Sequence, residues 1–129
     1  MKTAVLHALL VGCGGFLGAL LRYGVRGLVQ RSVPAASFPY GTLCANLLGC
    51  LLIGVLAGLV ESRQLFTPEQ RAFVFVGVLG GFTTFSTFGF ETVALARDGA
   101  LLAAIANVGV HVVLGLALVW WGYELTHAS

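Results

Sequence analysis

The sequence predicts an all-α integral membrane protein: one domain over residues 1–129, with four transmembrane helices, the third broken in mid-membrane. Three observations predict it. Charged residues make up 9% of the chain and hydrophobic residues 58%, whereas a soluble domain carries about 25% charged residues. The mean hydropathy is +0.96. So few charges cannot cover a globule in water. Second, the charges lie mostly between four apolar stretches, each near the roughly 20 residues that a spanning helix needs. Third, one of those stretches contains Gly80-Gly81-Phe82-Thr83-Thr84, a run that a helix built only to sit in lipid does not require.

The first span is placed at residues 3–21, which hold no Asp, Glu, Lys or Arg. An apolar run after Lys2 resembles a signal peptide, but Leu21-Arg22-Tyr23 is a poor cleavage site, so the segment is kept as a span. Gly14-x-x-x-Gly18 gives it a small-residue face on which another backbone can pack closely.

The second span is placed at residues 40–60. Gly54-x-x-x-Gly58 supplies a similar face. Thr42 and Asn46 are four apart and therefore share one side of the helix. An asparagine in a membrane helix either bridges helices or lines a polar path.

The third span is placed at residues 72–96 and is charge-free as far as Glu91. Gly77-x-x-x-Gly81 is a third small face. Gly80-Gly81 permits unusual backbone angles. Thr83, Thr84, Ser86 and Thr87 can bond backbone groups that a break sets free. Such a break is tolerated in a membrane only when buried in protein or facing a wet cavity. Its carbonyl end suits a cation and its N–H end an anion. Phe82, Phe85 and Phe88 follow at a spacing that puts three rings near one helix face. Such a stripe is ordinarily packing, yet ring edges are electropositive and can attract an anion weakly enough to release it. Glu91 reads either as a capped carboxylate near the helix end or as a partner for nearby hydroxyls.

The fourth span is placed at residues 99–123. Asn107, His111 and Gly115 follow one another a turn apart along one face. His111 reads either as a neutral packing residue or as one that lines water and titrates.

The remaining composition mainly excludes. Cys13, Cys44 and Cys50 all lie in apolar spans, which suits packing and argues against disulfides or a zinc site. A scattered net charge of +2 does not suggest nucleic acid. No nucleophile–base set, metal-ligand spacing or nucleotide loop points to an enzyme. Cationic residues ordinarily mark cytoplasmic loops. Here Lys2, Arg63 and Arg71 fall on one side, and Arg22, Arg26, Arg31 and Arg97 on the other. So even a balance is compatible with insertion both ways up and with an antiparallel, two-chain version of the inverted-repeat architecture.

GGFTTFSTFGFE (80–91), GTLCANLLGC (41–50) and GGFLGALLRY (14–23) together resemble the Fluc-type fluoride channels, the CrcB family. The similarity extends over nearly the whole chain. It implies an antiparallel, dual-topology homodimer in the cell membrane, with two separate pores that export fluoride passively. It also implies that Phe85 and Phe88 line the fluoride path with their ring edges and that Asn46 lines it from the second helix. Backbone carbonyls of Gly80 and Thr83 from both chains are expected to hold a sodium ion on the dimer axis. Arg22 is expected to make a vestibule electropositive. The chain departs from the family in one respect: no Ser, Thr or Tyr lies between Thr92 and Tyr123. Thr87, Asn107 and His111 are therefore expected to supply part of the polar lining.

Fluoride holds its water tightly, so a path must replace that hydration with donors such as the Asn46 amide and nearby hydroxyls. A bound cation lowers the cost of bringing the anion into the bilayer. The competing expectation is a small dual-topology, proton-coupled exporter of cationic compounds. Such a transporter needs a membrane-embedded acid, and the first span contains none.

Overall fold

A computed structural model describes residues 2–33 and 38–127. Among them every regular element is helical. α1 covers Lys2–Ser32 and α2 Tyr40–Arg63. The third span is composite. A short α3, Pro68–Arg71, leads into a π-helical stretch, Ala72–Leu79, and then α4, Gly80–Phe82. After a two-residue interruption α5 runs over Phe85–Arg97. α6 covers Leu101–His127. Four segments are long and apolar enough to cross a membrane: Thr3–Ser32, Tyr40–Arg63, Pro68–Arg97 and Leu101–His127.

These helices outrun the charge-free stretches. α1 continues through Arg22, Arg26 and Arg31, which the span limit at residue 21 left outside the helix. The reason is chemical: arginine is a good helix former, and Arg22 and Arg26 find partners across the bundle. At the other boundaries, Gln64 ends α2 in the left-handed region at φ 50. Thr67 and Gln70 form a reciprocal capping box over Pro68. Gly99, at φ 79, turns the chain between α5 and α6.

Helices pack where side chains are missing. α1 lies chiefly on the π-helical stretch and α4, and α2 chiefly on α6. A Cβ on Gly77 would stand 2.8 Å from the Gly14 Cα, and one on Gly81 2.5 Å from the Gly15 carbonyl oxygen. Cβ atoms on Gly14 and Gly18 would collide with the carbonyls of Phe73 and Val78. The first and third glycine pairs therefore pack against each other. Gly54 and Gly58 rest on Val119, Tyr123 and Thr126, and a Cβ on Gly122 would meet the Leu51 carbonyl at 2.7 Å. Thr126 Oγ1 donates to the Val55 carbonyl at 2.9 Å, tying α6 to α2 at this end.

The interior is thin. Among the described residues the buried apolar side chains are Ala45, Leu79, Phe82, Leu95 and Ala104, whereas Leu102, Phe90 and Trp120 are widely exposed. An apolar outside around a small, partly polar inside is the arrangement that lipid requires. Thr42 and Asn107 are essentially fully buried.

Candidate functional site

The site is built around the interruption. Thr83 (φ −89, ψ 160) and Thr84 (φ −154, ψ 112) are extended, between two helical segments. Their amide partners show how the ladder is rerouted. In a continuous helix the Thr84 N–H would bond the Gly80 carbonyl. It bonds Asn46 Oδ1 instead, at 2.8 Å. The Thr87 N–H, which would serve the Thr83 carbonyl, bonds Thr84 Oγ1 at 3.2 Å. Gly80 and Thr83 are thus both deprived of the amide donor that a continuous helix would provide. Thr84 acts as N-cap of α5, and its hydroxyl also donates to Thr87 Oγ1 at 3.0 Å.

Asn46 is fixed from both ends of its amide. Besides accepting from Thr84, it donates through Nδ2 to the Thr84 carbonyl at 3.1 Å. One Nδ2 hydrogen remains for a further acceptor.

A cavity of about 450 Å³ runs along the interruption. Asn46, Phe85, Phe88 and His111 line it, together with Gly80 and Thr83. Sequence positions from three spans thus converge on one space. The Phe85 and Phe88 ring centroids are 5.5 Å apart at an interplanar angle of 53°. Phe85 is 84% exposed on the single chain. Phe82 does not join them: it precedes the interruption and is buried. The three rings expected on one face are therefore divided, because the break resets the helical phase between Phe82 and Phe85.

The Phe88 ring also packs against that of His111, with centroids 4.4 Å apart at a tilt of 43°. His111 Nδ1 lies 2.9 Å from the Asn107 carbonyl oxygen. The Asn107 side chain donates to Thr92 Oγ1 at 2.8 Å, and Thr92 in turn donates to the Phe88 carbonyl at 2.7 Å. Asn107 thus bridges α6 to α5 from a fully buried position and is not among the residues lining the cavity.

Arg22 and Thr87 lie apart from this group, in a second cavity of about 630 Å³ that Arg26 also lines. Arg22 Nη1 reaches the Thr83 carbonyl at 3.5 Å, so this cationic cavity adjoins the interruption.

Sequence reasoning allowed Glu91 a hydroxyl partner but missed its cation. Glu91 Oε1 accepts from Thr42 Oγ1 at 2.8 Å and from Arg26 Nη2 at 3.1 Å. Glu91 Oε2 is buried without a partner. The carboxylate is thus both paired with a cation and bonded to a hydroxyl. Arg26 lies in a different span, so local charge spacing could not reveal it. The Thr42–Asn46 face was the available signal, since it turns these two polar side chains of α2 toward the third span.

Fold and site together define a multi-pass membrane protein of four spans, with a polar and aromatic cavity beside an interrupted helix. Residues 9–123 match the family described as CrcB-like protein, Camphor Resistance (CrcB). A Fluoride-specific ion channel FluC of Methylobacillus flagellatus is 44% identical over 119 residues, 92% of this chain and 93% of that one. A protein of the same name from Nitratidesulfovibrio vulgaris is 48% identical over 113 residues, 88% of this chain and 90% of its own. Another, from Citrifermentans bemidjiense, is 46% identical over 128 residues, 99% of each chain. The chain belongs to the CrcB family.

Proposed function

We propose that this chain is a fluoride-selective channel of the cell membrane that lets fluoride leave passively. The observation that carries this reading is the convergence of Asn46, Phe85 and Phe88 on the cavity beside the interruption. It joins an amide donor to electropositive ring edges. Neither binds an anion strongly enough to trap it.

The working unit is an antiparallel dimer of chains inserted both ways up, with two pores and with the third span broken near the bilayer centre. The exposure of Phe85 supports it, since a ring so uncovered on the single chain is available to a second one. Arg22 raises the potential of the adjoining cavity, and Thr87 contributes a hydroxyl there. Asn107 holds α6 against α5 behind the path.

Gly80 and Thr83 are the residues that would hold a sodium ion on the dimer axis. Carbonyl oxygens are hard ligands, and the amides due to both are bonded elsewhere; the Thr83 carbonyl also accepts a long bond from Arg22 at 3.5 Å, which a bound cation would have to displace or share. Bound there, sodium would supply positive charge close to the anion's route.

The exporter of cationic compounds finds no comparable support. Glu91, the acid nearest the site, is already paired with Arg26.

Fluoride release from liposomes containing the purified protein, measured beside chloride release, tests the reading. Rapid fluoride release with little chloride release is expected. Absence of fluoride release from folded, reconstituted protein overturns it.

A further inference from the structure

The hydrogen bonding of His111 determines what the ring offers to the cavity. Its Nδ1 lies 2.9 Å from the Asn107 carbonyl oxygen. A carbonyl can only accept, so Nδ1 carries a hydrogen. In the neutral imidazole Nε2 is then a bare acceptor. Nε2 is buried and has no partner, while the ring lines the cavity with Asn46, Phe85 and Phe88. A neutral His111 therefore carries a bare lone pair at Nε2 beside the cavity, which repels an anion that comes near it. The protonated ring presents an N–H and a positive charge.

We propose that His111 is a proton-conditional anion ligand, whose Nε2, once a proton reaches it, donates in a hydrogen bond to an anion beside Phe88. This deepens the fluoride reading and rests on it. It supplies a donor from α6, which has no hydroxyl residue before Tyr123. The proton stays on Nε2 while the anion is bound and need not travel with it.

The surroundings of the ring suit such a role. From α2, Cys50 lines the same cavity. On α5, Glu91 follows Phe88 by one turn, but its Oε1 is engaged by Arg26 and Thr42. Farther along, α5 ends at Arg97 and Asp98, and Glu61 and Arg63 lie at the far end of α2. On α6 itself the other ionisable side chains, Tyr123, Glu124 and His127, lie toward its C-terminal end. No carboxylate hydrogen bond or ion pair to His111 is present among the described residues.

The test is fluoride release from liposomes between about pH 8 and about pH 5, with HF leak through protein-free vesicles subtracted at each pH. Release by the unaltered protein is expected to rise several-fold with acidity as Nε2 gains its proton. His111→Leu should remove the rise. His111→Gln, with a permanent amide donor, should also be flat but faster than His111→Leu. In ¹⁵N-labelled protein the neutral His111 ring should carry its hydrogen on Nδ1. A flat profile in the unaltered protein, an equal rise in His111→Leu, or a neutral ring protonated at Nε2 overturns the assignment while leaving the channel standing. No fluoride release at any pH overturns the channel reading itself.

Discussion

The Asn46 side chain closes a two-point clasp on the backbone of Thr84: Nδ2 donates to its carbonyl at 3.1 Å, and Oδ1 accepts its N–H at 2.8 Å. A second-span side chain therefore replaces the helical bond that the third span gives up. Asn46→Asp keeps the acceptor but sets a carboxylate oxygen against the Thr84 carbonyl. The lost bond and the repulsion should lower stability by about 1–3 kcal/mol. Fluoride flux should fall more than stability alone explains, because the new charge repels the anion. Thermal unfolding in detergent and liposome efflux measure the two effects separately, and full flux in Asn46→Asp removes Asn46 from the path.

Phe85 and Phe88 test the ring-edge mechanism. Phe85→Ile and Phe88→Ile keep bulk and hydrophobicity but remove the quadrupole. Each should cut fluoride release by at least about tenfold, equivalent to about 1.4 kcal/mol of barrier. Size-exclusion chromatography should show the assembly unchanged. Wild-type release by both variants excludes the rings from conduction.

The contact between Arg26 and Glu91 should be measurable as a coupling. Arg26 is 43% exposed and Glu91 19%, so solvent screens the pair and a modest value of ~1 kcal/mol is expected. Arg26→Ala, Glu91→Gln and their combination form the cycle, read by thermal unfolding. Strictly additive effects would show that the ion pair contributes nothing.

Close backbone packing gives a fourth test. Alanine at Gly14 or Gly18 would drive a methyl group into the third span's backbone and should cost about 1–3 kcal/mol. Gly12 has nothing within 4 Å of its Cβ position. Gly12→Ala should therefore be neutral or slightly stabilising through helix propensity. A large loss at Gly12 would locate a surface that another chain covers.

Much of this architecture was legible in the sequence, because lipid punishes charge and backbone exposure uniformly. The four apolar stretches mark the four spans, and the three Gly-x-x-x-Gly faces each meet another helix. Gly80-Gly81 followed by hydroxyls points to where the helical ladder is abandoned. What eluded the sequence depended on partners distant along the chain. Arg22 and Arg26 follow the first apolar stretch, at the helix end or in the loop, and only the fold brings the Thr83 carbonyl and Glu91 to them. Phe82 belongs with Phe85 and Phe88 by spacing, but it is separated from them because two extended residues intervene. The π-helical turn at Ala72–Leu79 has no residue signature at all in its apolar run.

Helix pairing also bears on how the protein is made. α1 finds its main partner in the third span, and α2 finds its own in α6. Neither early span can complete its packing when it leaves the ribosome. The second waits until the C-terminal helix is translated, since Gly54 and Gly58 rest on Val119, Tyr123 and Thr126. Contacts between segments far apart in sequence form late. A chain that stalls before α6 leaves the glycine face of α2 bare in the bilayer, without the helix it is shaped to receive.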